Sequence, residues 1–326
     1  MVDIMTLTLQ IVLLIVGFVL LIKGADIFVD GASNVAYNLK IPTIIVGLTI
    51  VAFGTSAPEA AVSITSAFAK TNALSLGNVV GSNIFNILAV VGISALVGTL
   101  TVDKILIKRD FPFLVVSTIG LLLVAIIFKE ISQICGVIFL IIIFAYVYRL
   151  VQEARQDKEA MSEEIEVKLS IPKSLIYIII GIAGIIIGSD FVVDGASFIA
   201  GAFGLSDALI GLTIVAIGTS LPELVTSITA LKKGDNGIVI GNVLGSSIFN
   251  ILFILGISSA INPLPIKPDM ITDILFMTLI TILGAIFAYS QNKVDKKEGI
   301  VLIALYVLYI AFIISRQLGI FNIVLF

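Results

Sequence analysis

Long apolar runs separated by short polar stretches follow one another along the whole chain. Each run is long enough for an α-helix to cross a hydrocarbon core about 30 Å thick. The pattern therefore predicts an all-α membrane protein with ten transmembrane helices. The ten predicted spans are 5–22, 42–69, 75–98, 112–128, 133–150, 174–190, 206–231, 236–261, 270–289 and 300–317.

The runs fall into two similar halves that are offset by 164 residues. GLTIVAFGTSAPE at 47–59 matches GLTIVAIGTSLPE at 211–223 in 11 of 13 positions, and GNVVGSNIFNIL at 77–88 matches GNVLGSSIFNIL at 241–252 in 10 of 12. Each half holds five predicted spans, an odd number, so the second copy enters the membrane from the opposite side. The predicted units are a first five-helix repeat at 1–151, a charged linker at 152–173 and a second, inverted repeat at 174–326.

Composition supports a membrane location and charge gives an orientation. The chain is 59% hydrophobic and 13% charged, whereas soluble proteins carry about 25% charged residues. Of the 19 Lys and Arg residues, 14 lie in loops after odd-numbered spans, Arg149 lies at the span end that leads into one of these loops, and 4 lie elsewhere. Because basic loops stay in the cytoplasm, we predict a multi-pass plasma-membrane protein with a cytoplasmic 152–173 linker and extracellular termini.

Missing residue types exclude several functions. The chain has no His, which excludes Ser-His-Asp and Cys-His catalysis and histidine zinc sites. Cys135 is the only cysteine, so no intrachain disulfide forms. A net charge of −3 argues against nucleic-acid binding. We therefore expect a protein that is not an enzyme and that has no cofactor and no nucleic-acid partner.

Two carboxylates fall in the middle of apolar runs, at Glu59 and Glu223, which are equivalent positions of the two repeats. An ionisable group at that depth costs at least about 2.5–3.5 kcal/mol. No predicted span offers a Lys or Arg at the same depth, so the companions are expected to be cations or protons from solution. Four aspartates at span ends are expected to be interfacial caps instead: Asp26, Asp30, Asp190 and Asp194.

Oxygen atoms are concentrated around both carboxylates. Pro58 and Pro222 lack an N–H group and clash with the carbonyl four residues back, which predicts broken helices with free carbonyls around 52–55 and 216–219. Carboxylate, carbonyl and hydroxyl oxygens are the ligands that hard cations such as Ca²⁺ prefer. The hydroxyl groups next to the breaks belong to Thr55, Ser56, Thr219 and Ser220.

The second repeated motif predicts a helix wall that faces the carboxylates. Ser82 and Asn86 are four residues apart and share one helix face, as do Ser246 and Asn250. GxxxG spacing beside each pair would let these helices approach a neighbour closely. We therefore expect both asparagines to reach the same site.

The doubled motifs GTSAPE…GNVVGSNIFN and GTSLPE…GNVLGSSIFN resemble the α-repeats of the cation/Ca²⁺ exchanger superfamily, specifically the prokaryotic Na⁺/Ca²⁺ exchangers. The resemblance implies that broken helices 2, 3, 7 and 8 form a core with one Ca²⁺ site and up to three Na⁺ sites, over which spans 1 and 6 slide. It also implies Ca²⁺ ligation by Glu59, Glu223 and the carbonyls of Thr55 and Thr219. Na⁺ is implied at the same glutamates, the carbonyls of Ala52 and Ala216, and Ser56, Ser82, Ser220 and Ser246, with Asn86 and Asn250 lining the central position.

The two central asparagines, Asn86 and Asn250, determine the formal charge of the predicted site and therefore its ion coupling. Some family members, including K⁺-dependent exchangers, carry Asp where this chain has Asn250, so the site here has a formal charge of −2. Because Ca²⁺ would neutralise that charge and three Na⁺ would leave +1, we predict electrogenic exchange without K⁺. An H⁺/Ca²⁺ antiporter is the main alternative, since a glutamate pair can also carry protons. Ca²⁺, Na⁺ and the lipid bilayer are the expected partners, and no obligate protein partner is expected.

Overall fold

A computed structural model describes residues 4–70, 72–156, 169–202 and 216–317. Eight described helices are long and apolar enough to cross a membrane, and one bent pair makes a ninth. The first part of the predicted seventh span, 206–215, lies outside the described residues. The all-α class is confirmed, while the count of ten spans stays a prediction.

Twelve helical segments follow one another in the described part of the chain. They are α1 (Ile4–Leu39), α2 (Thr43–Thr55), α3 (Ala57–Phe68), α4 (72–97), α5 (Leu106–Phe128), α6 (Gln133–Gln156), α7 (Ile171–Ala202), α8 (Ala216–Gly218), α9 (Leu221–Lys232), α10 (Asn236–Ile261), α11 (Pro268–Gln291) and α12 (Lys296–Gln317). Helices α6 and α7 extend into both ends of the predicted 152–173 linker, of which 157–168 lie outside the described residues.

Two short antiparallel ribbons connect the halves. Strand β1 (Leu100–Thr101) pairs with β4 (Lys293–Val294), and β2 (Glu130–Ile131) pairs with β3 (Leu264–Pro265). Each ribbon therefore joins a loop of one repeat to a loop of the other.

The two motif helices, α4 and α10, lie at the centre of the bundle. In α10, 94% of the most apolar stretch is buried, and in α4 78%, against 50% or less in the other six membrane-length helices. Neither is broken, contrary to what the resemblance implies for spans 3 and 8: each is continuous and contains one π turn, at Asn86–Val90 and Asn250–Ile254. Both lack proline, so a one-residue π insertion suffices to adjust the helix without ending it.

Spans 2 and 7 are broken where the prolines predict. Helices α2 and α3 meet at Ser56 with a bend of 51°. Pro58 lies in the first turn of α3, and Pro222 lies in the first turn of α9. Proline is tolerated there because the first N–H groups of a helix have no intrahelical partner.

Helices α1 and α7 are unbroken and pack backbone against backbone. A Cβ atom added at Gly188 would lie 2.5 Å from the Leu21 nitrogen, and one added at Gly24 would lie 2.7 Å from the Ile185 nitrogen. Six glycines of this seam recur every seven residues, three on each helix, which permits close contact along its length. They are Gly17, Gly24, Gly31, Gly181, Gly188 and Gly195.

The aspartates of α1 do not act as caps, which corrects the sequence-based expectation. Asp26 and Asp30 lie within α1, where their Oδ1 atoms are 2.8 and 2.7 Å from the Lys233 Nζ atom. Two residues further along the α9–α10 turn, Asp235 accepts a 2.6 Å hydrogen bond from the Ser33 hydroxyl. These contacts fasten one end of α1 to the second repeat. Asp190 and Asp194 likewise lie inside α7.

Candidate cation-binding site

The two helix breaks are joined by crossed hydrogen bonds. The Ser56 Oγ atom, at the first break, donates to the Glu223 Oε1 atom at 2.9 Å. The Ser220 Oγ atom, at the second break, donates to the Glu59 Oε1 atom at 3.0 Å. Each carboxylate is therefore held by a serine of the opposite repeat.

Helix α4 adds a further contact to this pair. The Ser82 Oγ atom donates to the same Glu59 oxygen at 3.3 Å. On the second repeat, the Ser246 Oγ atom donates to the Ala52 carbonyl at 3.4 Å and lies 3.4 Å from the Thr55 Oγ1 atom. The structure thus brings together most of the residues that the sequence predicts for one site.

Two asparagines that the sequence-based prediction missed support both carboxylate segments. The Asn78 Nδ2 atom donates to the Glu59 carbonyl at 3.2 Å, and the Asn242 Nδ2 atom donates to the Glu223 carbonyl at 3.4 Å. Their Oδ1 atoms accept hydrogen bonds from Thr219 and Thr55 at 3.4 and 3.0 Å. Each asparagine lies four residues before a predicted serine on the same helix face, so the spacing offered a usable signal.

The predicted free carbonyls are only partly free. The Ala52 carbonyl keeps a 3.0 Å backbone bond from the Ser56 N–H group and accepts serine and threonine hydroxyls in addition. The Gly218 carbonyl, four residues before Pro222, accepts a 2.7 Å hydrogen bond from the Ser189 hydroxyl of α7. Ala216 is the first described residue of α8, which precedes this break.

Both asparagines of the predicted central position are fully buried. The Asn250 Nδ2 atom donates to the Asn83 Oδ1 atom at 3.0 Å. The Asn250 Oδ1 atom and both amide atoms of Asn86 have no hydrogen-bond partner within the described residues. Polar oxygen and nitrogen atoms thus remain available in the centre of the bundle.

The two glutamates are buried without a counter-charge. Both are 0% exposed, and their Oε2 atoms lack hydrogen-bond partners among the described residues. No ion pair found in the described ranges involves either of them. Two other buried acids do have a base: Asp110 pairs with Arg109 at 2.8 Å and Asp273 pairs with Arg316 at 2.8 Å. An unpaired buried charge is strongly destabilising, so the glutamate pair requires a cation or protons.

The arrangement can bind a hard cation through oxygen atoms alone. Each carboxylate accepts a hydrogen bond from a serine hydroxyl of the opposite repeat. The threonine and asparagine side chains beside them add neutral oxygens. Ca²⁺ takes six to eight such ligands. Fold and site together define a multi-pass membrane ion transporter built from two inverted repeats.

The chain belongs to the sodium/calcium exchanger family. The family described as sodium/calcium exchanger protein matches residues 9–152 and 173–315, which is most of the chain. The family is one of membrane transporters for cation/Ca²⁺ exchange, not one of catalytic enzymes, and it implies Ca²⁺ and Na⁺ as the transported ions.

Relatives and solved structures support this membership. The chain is 31% identical over 344 aligned positions to the sodium/calcium exchanger MaX1 of Methanosarcina acetivorans, covering 93% of this chain and 98% of the relative. It is 37% identical to CaxA, a candidate antiporter of Alkalimonas amylolytica, covering 91% and 96%. The structure of the sodium-calcium exchanger NCX_Mj without Na⁺ and Ca²⁺ superposes with a TM-score of 0.83 at 34% identity, covering 94% and 99%.

Proposed function

We propose that this protein exchanges Na⁺ for Ca²⁺ across the plasma membrane by alternating access, in an electrogenic cycle that does not need K⁺. The observation that carries the proposal is the pair Glu59 and Glu223, which is buried, crossed between repeats and without a basic partner among the described residues. Because Na⁺ and Ca²⁺ compete for the same two carboxylates, binding of one ion displaces the other, which is the basis of exchange.

The charge of the site supports the electrogenic cycle. With asparagine at both central positions, 86 and 250, the two glutamates give a formal charge of −2. One Ca²⁺ neutralises this charge, and three Na⁺ leave the loaded site at +1. Asn250 also donates its N–H to Asn83, whereas Asp, found at this position in some K⁺-dependent exchangers, would add a third negative charge.

The orientation follows from the distribution of basic residues. Fifteen of the 19 Lys and Arg residues lie in loops after odd-numbered spans or, for Arg149, at the span end that leads into one, so these loops are proposed to be cytoplasmic and both termini extracellular. The α9–α10 turn that carries Lys233 and contacts α1 then lies on the cytoplasmic side. Helices α1 and α7, which pack together along their glycine seam, are proposed to slide over the central helices.

Reconstituted vesicles test the exchange directly. We expect Na⁺-loaded proteoliposomes to take up ⁴⁵Ca²⁺ when diluted into Na⁺-free medium, equally with and without K⁺. E59Q and E223Q should each abolish the uptake, because one carboxylate cannot neutralise the divalent ion. E130Q is the matched control, since Glu130 is exposed and should transport like wild type. Full Na⁺-dependent uptake by E59Q would refute the site.

Membrane voltage tests the stoichiometry. One net charge per cycle is worth about 2.3 kcal/mol per 100 mV, which shifts the equilibrium Ca²⁺ ratio by about 50-fold. We expect that shift when the potential is clamped with a K⁺ gradient and valinomycin. A Ca²⁺ ratio that does not respond to the clamped potential would refute electrogenic exchange.

Proton-coupled exchange is the second candidate, because each carboxylate of the buried pair can bind a proton in place of a cation. The same vesicles distinguish it from Na⁺ coupling. Ca²⁺ uptake driven by a pH gradient in the absence of Na⁺ would favour H⁺/Ca²⁺ antiport, whereas uptake that needs Na⁺ at every pH supports the main proposal.

A further inference from the structure

The two central helices differ at one buried polar position. The motif of α4 reads GNVVGSNIFN and that of α10 reads GNVLGSSIFN, so that Asn83 is matched by Ser247. Both residues are 1% exposed. The other polar residues of the motif are the same in both repeats. The polar side chains that α4 and α10 contribute from this motif therefore differ at this position.

Hydrogen bonding fixes the orientation of the Asn83 amide. Its Nδ2 atom lies 3.2 Å from the Ser247 carbonyl oxygen, and a carbonyl can only accept. The Asn83 nitrogen must therefore point at Ser247, which leaves its Oδ1 atom to face Asn250. That oxygen is an acceptor, so Asn250 must present its Nδ2 atom, at 3.0 Å.

The orientation of Asn250 is settled by the same chain of bonds. With its nitrogen directed at Asn83, the Oδ1 atom is turned the other way and has no partner in the described part of the chain. Asn250 follows Asn242 and Ser246 at four-residue intervals on one face of α10, and those two residues contact Thr55 at the helix break. The amide oxygen is thus buried, on the face that carries the site, and without a partner in the described ranges.

Asn86 has no comparable anchor. Both of its amide atoms lack partners within the described residues, so either atom can be presented to an ion or a water molecule. We propose that Asn83 is a positioning residue that locks the Asn250 amide with its oxygen toward the transported cation, while Asn86 remains free to turn. This inference rests on the proposed function, because it needs the cation site between the repeats.

The reversed orientation would be costly. If Asn250 turned over, its oxygen would meet the Asn83 oxygen, and its N–H group would point toward a cation. Asn83 cannot turn in response without losing its bond to Ser247 and placing two oxygens together there. A buried polar group left unpaired costs more than a hydrogen bond contributes, so one residue in α4 controls which atom α10 offers.

The variant N83S tests the inference, since it installs the residue that the other repeat already has at this position. We expect the KM for Ca²⁺ to rise about three- to tenfold, the effect of one hydrogen bond, while Vmax stays close to wild type. S247A is the matched control: it removes only a hydroxyl that has no partner among the described residues, and it keeps the backbone carbonyl that Asn83 uses. N83A replaces N83S if the latter does not fold.

A double-mutant cycle separates positioning from packing. If Asn83 acts through Asn250, N83S should have no further effect in an N250A background. Ca²⁺ affinity is read there from the Ca²⁺-induced rise in melting temperature, which needs no turnover. Additive effects, or a lowered ion-free melting temperature with an unchanged KM, would overturn the inference.

Failure of the proposed function can be distinguished from failure of the inference about Asn83. If E59Q transports like wild type, the cation site itself is misplaced. If E59Q is inactive and N83S matches wild type in KM, the site stands and only the positioning role of Asn83 is refuted.

Discussion

The glycine seam between α1 and α7 makes a sharp prediction for the variant G188A. A Cβ atom at this position would lie 2.5 Å from the Leu21 nitrogen and 2.7 Å from the Gly17 oxygen. Both are backbone atoms, so no side chain can turn away to make room. The two helices must separate by roughly half an ångström or more, which is the kind of overpacking that cores resist.

The size of the effect follows from a matched comparison. Overpacking typically lowers stability by about 1–3 kcal/mol. Replacing Gly by Ala at an exposed or loosely packed helix position instead raises stability by up to about 1 kcal/mol, because Ala has the higher helix propensity. A Cβ atom added at Gly120 in α5 would have no neighbour within 4 Å among the described residues. G120A and G188A share the propensity gain, so the difference between them isolates the contact across the seam.

The assay is thermal unfolding of purified protein in detergent. Size-exclusion chromatography measures the folded fraction that remains after heating to each temperature. We expect G188A to melt about 2–6 °C below G120A, with G120A at or slightly above wild type. Equal melting temperatures for the two variants would show that the helices are not in backbone contact, and would refute the reasoning.

Three further predictions follow from contacts at the breaks and the α9–α10 turn. S56A and S220A each remove a hydrogen bond to a buried carboxylate, worth about 1.5–3 kcal/mol, so the Ca²⁺ KM in vesicle uptake should rise about 10- to 100-fold; an unchanged KM contradicts the crossed geometry. K233A breaks two partly exposed ion pairs, and amide hydrogen exchange in peptides covering 26–37 should accelerate at low salt, with the difference from wild type shrinking at high salt as surface pairs are screened. S189A leaves the Gly218 carbonyl without its hydroxyl donor and should lower the melting temperature, whereas S290A, which changes an exposed serine, should not.

The peripheral helices carry a second repeated feature that the motif comparison does not reveal. Tyr146 stacks on Phe113 at 4.4 Å between ring centroids and donates to the Asp110 carboxylate at 2.7 Å. In the other half, Tyr309 stacks on Phe276 at 4.7 Å. These pairs are offset by 163 residues rather than 164. The loops 98–103 and 262–267 still keep the offset of 164, so the extra residue of the first repeat lies in the π turn Leu106–Asp110 of α5, which has no counterpart in α11. The duplication thus extends into the peripheral helices, where sequence identity has largely been lost.

Much of the candidate site could be predicted from local sequence. A carboxylate in an apolar run without a basic residue at the same depth is costly wherever the run packs, so Glu59 and Glu223 were identifiable without coordinates. The prolines at 58 and 222 likewise predict breaks, since a missing N–H group is a local property. The odd number of spans in each half then predicts the inverted arrangement.

Other features depend on which helices meet, and the sequence alone did not determine them. The predicted breaks in spans 3 and 8 are π turns, the aspartates of α1 bind Lys233 rather than cap a helix, and Ser189 satisfies the carbonyl that Pro222 releases. The last two are contacts between residues far apart in the chain, and the π turns lie in the two helices that the rest of the bundle surrounds.

The sequence by itself determined the membrane class, the repeat and the two buried charges, because each follows from composition or spacing within one segment. Only the tertiary structure decided that the serine of each repeat holds the glutamate of the other, and that the Asn250 amide donates to Asn83 in the centre. The physical reason is that a hydrogen bond depends on distances of about 3 Å between helices, and such distances are set by the packing of the whole bundle.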